Sequence, residues 1–104
     1  MPRQHWTPVP RPGCVNVDGR VLLVRDGLAL AMLRFSPEAT IDEHAADHEV
    51  DVICLEGEGY VSIEDRVNSL AAGQWLTWPA RRVHRLWTGD HGMITLMVER
   101  LERP

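Results

Sequence analysis

Residues 42–59, DEHAADHEVDVICLEGEG, carry the side chains best suited to chemistry. His44 and His48 lie among carboxylates, and neutral imidazole is a frequent ligand of divalent transition metals. A third histidine, His84, follows the turn PARR later in the chain. Three imidazoles on one ion would leave a coordination position open, which suits zinc, iron, manganese, nickel or copper. The residue types therefore predict a metal site of His44, His48 and His84.

The four-residue separation of His44 and His48 restricts the chain conformations in which both could bind one ion. Along an extended strand His44 and His48 would lie about 13 Å apart, too far to share one ion. The chain must therefore bend between them or form a helical turn. Thr40 and Glu43 match a capping box, which would begin a short helix over residues 41–49. The β-branched residues that follow favour a strand instead, and the sequence supports either alternative.

Short apolar runs separated by turn residues predict that the surrounding elements are strands. Two of the runs, residues 28–33 and 93–98, are apolar at consecutive positions, so both faces of these strands are predicted to be buried. Surplus apolar surface of this kind indicates an oligomer interface, and we expect a homodimer. Cover by the N-terminal segment is the alternative. The predicted strands span residues 20–24, 28–35, 50–55, 60–63, 74–78, 83–87 and 93–98.

Length and composition limit the classes of protein. The 104 residues fit one domain, predicted as a proline-rich arm over residues 1–14 followed by a barrel over residues 15–104. The net charge is −4, and no stripe of basic residues predicts a nucleic-acid partner. No apolar stretch reaches the roughly 18–20 residues of a membrane span, and no signal-peptide core is present. We expect a cytoplasmic protein with no membrane contact.

Two segments together resemble the conserved motifs of the cupin family. LRFSPEATIDEHAADHEVDVICLEGEGYVSIED is similar to the first motif, and GQWLTWPARRVH is similar to the second. Gly73, Pro79 and His84 keep the spacing of the second motif, whereas Arg81 stands at its second glycine and Thr88 at its asparagine. The resemblance covers about residues 20–100. It implies an all-β fold, a double-stranded β-helix or jelly-roll barrel.

The resemblance also implies a ligand set, of which this chain keeps half. Family members hold one divalent metal inside the barrel with three histidines and a glutamate. His44 matches the first histidine and His84 the last. Ala46 and Val50 stand at the other two positions and cannot bind a metal. His48 or a neighbouring carboxylate would have to replace them.

A pocket around His44 and His84 is the predicted functional site, and no catalytic residue can be assigned from the sequence. Its substrate or ligand is a small molecule of unknown class. In the first interpretation the pocket binds a divalent metal. In the alternative, the protein is a metal-free cupin module that binds a small organic ligand, or a dimeric scaffold without catalysis. Strand alternation predicts that four further side chains face the pocket: Val50, Cys54, Trp78 and Leu86.

Overall fold

A computed structural model of the protein describes residues 5–100, which form eight strands and the loops between them. The described residues contain no helix, which confirms the all-β prediction, and none of their elements is a helix able to cross a membrane. The strands are β1 (Thr7–Pro8), β2 (Cys14–Arg25), β3 (Leu28–His44), β4 (Val50–Ile63), β5 (Arg66–Ala71), β6 (Trp75–Trp78), β7 (His84–Trp87) and β8 (Met93–Arg100).

Two long strands, β3 and β4, run through both layers of the barrel. The first half of β3 pairs with β2 and β8, and its second half pairs with β7. The first half of β4 pairs with β6 and β8, and its second half pairs with β5 and β7. One layer therefore has the order β2, β3, β8, β4, β6, and the other contains β3, β7, β4 and β5. This is the predicted jelly-roll barrel.

Several predicted strand boundaries are wrong. The structure joins residues 50–55 and 60–63 into β4, and β3 continues through residues 36–44, beyond the end of the strand predicted for residues 28–35. β5 was not predicted. The chain bends at these places without reversing, because Glu38 and Gly57 adopt positive φ angles of 59° and 76° inside continuous strands. The helix considered for residues 41–49 is also wrong, since β3 extends to His44.

Side chains alternate between a buried and an outward face along β8. Met93, Thr95 and Met97 are buried, whereas the side chains between them are only partly covered. The prediction that both faces of residues 93–98 are buried is therefore met on one face only. The outward face is continuous with neighbouring strands, because Leu96 lies opposite both Met32 of β3 and Ile53 of β4.

The N-terminal arm wraps around the free edge of β2. β1 pairs with β2 at Gly19 and Asp18, and the Val9 amide donates a hydrogen bond to the Val17 carbonyl over 3.0 Å. The side chain of Val9 packs against the core. The arm therefore covers the inner side of this edge and leaves most of the outward face of the sheet uncovered.

Candidate functional site

The two histidines that match the cupin motifs face each other across neighbouring strands. His44 ends β3, His84 begins β7, and the two are direct cross-strand partners. Their Nε2 atoms lie 3.1 Å apart. Each Nδ1 points back to a backbone carbonyl two residues earlier, to that of Asp42 at 3.0 Å and to that of Arg82 at 3.1 Å. Both rings are thus held in orientation by the main chain.

These hydrogen bonds determine where the ring protons lie. A carbonyl oxygen can only accept, so Nδ1 of His44 and Nδ1 of His84 both carry a hydrogen. In the neutral rings both Nε2 atoms are then acceptors, and two lone pairs facing each other at 3.1 Å repel. A positive charge between them removes the repulsion. The pair is therefore suited to share a proton or to contact a cation.

Trp78 forms the wall behind the pair. Its indole ring stacks on the His84 ring with centroids 3.8 Å apart, and it meets the His44 ring edge-on. Trp78 is buried, and its Nε1–H has no hydrogen-bond partner among the described residues. Because an unsatisfied buried donor costs about 1–3 kcal/mol, an oxygen acceptor reaching this N–H would stabilise the site.

The surroundings keep His84 uncharged at neutral pH. Burial lowers the pKa of His84 to about 4, and the positive charges of His44 and Arg11 act in the same direction. The hydrogen bond to the Arg82 carbonyl opposes the shift. At pH 7 the Nε2 atom of His84 is therefore a free acceptor for a proton shared with His44.

A cavity of about 220 Å³ opens beside the pair. Its polar walls include Arg11 from the arm and the paired side chains of His48 and Glu99. Of the predicted pocket residues, Val50 and Trp78 line this cavity. Cys54 and Leu86 do not line it: both are fully buried in the core.

Cys54 lies too far along β4 to reach the cavity. It follows Val50 by four residues, which is about 13 Å along a strand. Its Sγ lies 3.5 Å from the Glu56 carbonyl oxygen, and burial raises the pKa of the thiol. A thiol of this kind is unreactive at neutral pH.

The third predicted metal ligand takes a different partner. The chain does bend after His44, and His48 reaches the cavity wall, but its Nε2–H donates to the Glu99 carboxylate over 2.8 Å. Between residues 5 and 100, no group of three or more histidine, cysteine, aspartate or glutamate side chains is placed to hold a metal ion. The two Nε2 atoms of the pair do not by themselves complete the four-ligand centre implied by the resemblance.

Two substituted motif positions have clear structural roles. Arg81, at the second glycine of the motif, adopts a φ of 60°, and its amide donates to the Ala46 carbonyl over 2.6 Å. Thr88, at the asparagine position, donates through its hydroxyl to the Ser36 carbonyl and accepts from the Ala39 amide. Both substitutions preserve the backbone geometry around the site.

Sequence reasoning missed two of the polar cavity residues. Glu99 continues the inward series of Thr95 and Met97, so strand alternation carried to residue 99 could have found it. Arg11 belongs to the arm, and no local pattern indicates that the arm reaches the cavity.

Comparison with known proteins supports the fold. No protein-family model matches the sequence, and no curated protein matches it. Among solved structures, the polyketide cyclase RemF from Streptomyces resistomycificus is 24% identical, with a TM-score of 0.88 over 100% of this chain and 82% of that chain. A cupin-2 domain protein from Rhodospirillum rubrum is 18% identical, with a TM-score of 0.88 over 100% of this chain and 74% of that chain.

A third structure gives the same result. A RmlC-like cupin from Shewanella frigidimarina is 20% identical, with a TM-score of 0.85 over 97% of this chain and 86% of that chain. At these identities the likeness is one of fold, and it extends over nearly the whole chain. Together with the two sequence motifs and the jelly-roll topology, it shows that this chain is a small β-barrel of the cupin fold.

Proposed function

We propose that the cavity beside His44 and His84 is an acid–base active site for a small carbonyl compound that can form an enolate. One observation carries the proposal. Both Nδ1 atoms are bonded to backbone carbonyls, so the Nε2 atoms face each other at 3.1 Å as two acceptors. A single proton placed between them turns a repulsion into a hydrogen bond, so the geometry allows the pair to take up one proton and return it.

The surrounding groups suit the same reaction. The pair removes a proton from the carbon next to the carbonyl, and the electron pair moves to the carbonyl oxygen. Arg11, which lines the cavity, is a donor available to stabilise the resulting enolate oxygen. The proton returns from the pair to a different position of the substrate. The structural similarity to a polyketide cyclase supports this class of chemistry, because ring closure of a polycarbonyl chain begins with enolate formation.

Hydrogen–deuterium exchange tests the proposal. We expect the protein to accelerate deuterium incorporation next to the carbonyl of monocyclic ketones and β-keto acids, followed by proton NMR in D₂O. His44→Gln and His84→Gln each remove half of the pair and should lower the rate at least about a hundredfold, the scale of general acid–base catalysis. His91→Gln, in an exposed turn, is the matched control. Equal exchange rates in the wild type and both pair variants would contradict the proposal.

A divalent metal held by His44, His84 and His48 is the second candidate. The observation that favours it is the 3.1 Å between the Nε2 atoms, close to the separation of two nitrogens that each lie about 2.0–2.1 Å from one ion. It requires His48 to leave Glu99. Elemental analysis of protein purified without added metal or affinity tag, beside His84→Ala, decides between the candidates. About one ion per chain, lost in the variant, supports a metal; none in either after soaking excludes it.

A further inference from the structure

A second cavity adjoins the first one beneath the N-terminal arm. It has a volume of about 480 Å³ and lies between the arm and the inner side of β2 and β3. We call it the arm chamber; its lining includes Val9, Pro10, Arg20 and Val21. Ala31 and Leu33 line both cavities, so the two meet at these side chains.

The volumes indicate how large a ligand the combined space admits. The histidine cavity, at about 220 Å³, is little more than the size of a one-ring molecule, since benzene fits a cavity of about 150 Å³. Ligand pockets commonly have volumes of about 300–1,000 Å³, a range reached here only when the arm chamber is included. The small side chain of Ala31 at the junction leaves room for a ligand that extends into both.

The chemistry changes from one end of this space to the other. The histidine end carries the imidazole pair and Arg11. The arm chamber is mainly apolar. Arg20 borders it, but Arg20 lies opposite Met32 on the outward face of the sheet, and its guanidinium lies over the Trp6 ring. A ligand that fills both cavities would thus have an oxygen acceptor at the histidine end and an apolar body in the arm chamber.

We propose that the substrate is an elongated, largely apolar ketone of two or three rings that occupies both cavities. Its reacting carbonyl lies at His44 and His84, its rings pass Ala31, and its far end lies under the arm between Val9 and Val21. The position of the reacting carbonyl in this inference rests on the proposed function. The prolines of the arm support it, because Pro8 and Pro10 restrict the backbone and keep the chamber formed before binding.

Filling the arm chamber tests the proposal. Val21 lines the chamber and is 51% exposed, so Val21→Trp adds bulk there without disturbing the core. Val24→Trp is the matched control: it lies on the same strand, is 61% exposed and is not part of the lining. Two probes are titrated by calorimetry: anthraquinone-2-carboxylate, with three fused rings, and 4-hydroxybenzoate, with one.

We expect Val21→Trp to weaken binding of the three-ring probe at least tenfold and to leave binding of the one-ring probe unchanged. Val24→Trp should change neither. The proposal is overturned if the two variants bind the three-ring probe equally, or if the wild type binds it no more tightly than the one-ring probe. The deuterium-exchange assay separates the two proposals. If Val21→Trp weakens binding of the three-ring probe but the His44 and His84 variants exchange deuterium as fast as the wild type, only the acid–base function is rejected.

Discussion

The facing imidazoles of His44 and His84 are positioned to share one proton. With both Nδ1–H groups bonded to the main chain, any proton gained by the pair must enter at Nε2, where the two rings share it. Burial is the main reason that the pKa of His84 is as low as about 4, and the charge of His44 acts in the same direction. His84 is therefore uncharged over the physiological pH range.

This low pKa makes the stability of the fold depend on pH. Between pH 6.5 and about 4 the unfolded chain protonates His84 while the folded chain does not. The free energy of unfolding is then highest above pH 6.5 and falls as the pH drops to about 4, by up to about 3 kcal/mol. Urea unfolding at pH 7, 5.5 and 4 measures the loss. In His84→Gln the slope over this range should be smaller, and an unchanged slope would reject the assignment.

Arg81 shows that the backbone at a motif position persists after the glycine is lost. A left-handed φ of 60° costs a non-glycine residue about 1–2 kcal/mol, part of which glycine loses again through its greater freedom in the unfolded chain. Arg81→Gly should therefore raise the free energy of unfolding by about 0.5–1 kcal/mol. The neighbouring Arg82→Gly, where φ is not positive, should give no gain. Thermal unfolding of the two variants provides the comparison.

At the scale of elements, the two long strands explain which parts of the fold were predictable. Apolar runs separated by turn residues correctly predicted the barrel and most of its strands, but not β5. The same pattern arises whether a chain reverses or only bends, so the sequence predicts strand ends at residues 35 and 55 where β3 and β4 continue. A bend is distinguished from a reversal only by the strand pairing: β3 and β4 each pair with β8 in one layer and with β7 in the other. The spacing of the two cupin-like motifs correctly predicted that His44 and His84 lie together. Such spacing is set by which residues pair across strands, and the apolar pattern alone does not contain that information.

Gly57 is the most restrictive of these bends. It combines a φ of 76° with a tight approach, since a Cβ there would collide with the carbonyl oxygen of Gly92. Gly73 has a similar φ of 89°, but a Cβ there would meet no atom within 4 Å. Gly73→Ala should lower the free energy of unfolding by about 1 kcal/mol from backbone strain alone, and Gly57→Ala by about 3 kcal/mol or more. Equal losses in chemical denaturation would show that the contact with Gly92 is relieved easily.

At the scale of the whole molecule, one layer of the barrel has an apolar outward face. Trp75, Ile53, Leu96 and Met32 lie side by side in register across four strands, and Trp75 is 66% exposed. The layer has five strands about 4.8 Å apart, so the face extends over about 19 Å. Among the described residues, the arm covers only its margin, where Trp6 stacks on Arg34.

We propose that a second copy of the chain covers this face. A two-fold interface places the same patch on both partners, and an apolar centre with charged residues around it fits a dimer interface of about 800 Å² per partner. Light scattering should therefore give the mass of a dimer. Leu96→Arg should produce monomers, whereas Val67→Arg, on β5 in the other layer and 61% exposed at Val67, should not. The mass of a single chain for the wild type would refute this prediction.

The position of β8 also determines when the molecule can fold during its synthesis. β8 lies between β3 and β4 and joins the two halves of one layer, yet it is the last of the eight strands to leave the ribosome. Until residues 93–100 emerge, the nascent chain has an open gap where β3 and β4 should be joined, and the apolar side chains lining that gap remain in water. Completion of this layer therefore has to wait for β8. A stalled chain ending before Met93 should remain protease-sensitive, and protection should arrive in a single step once β8 is free.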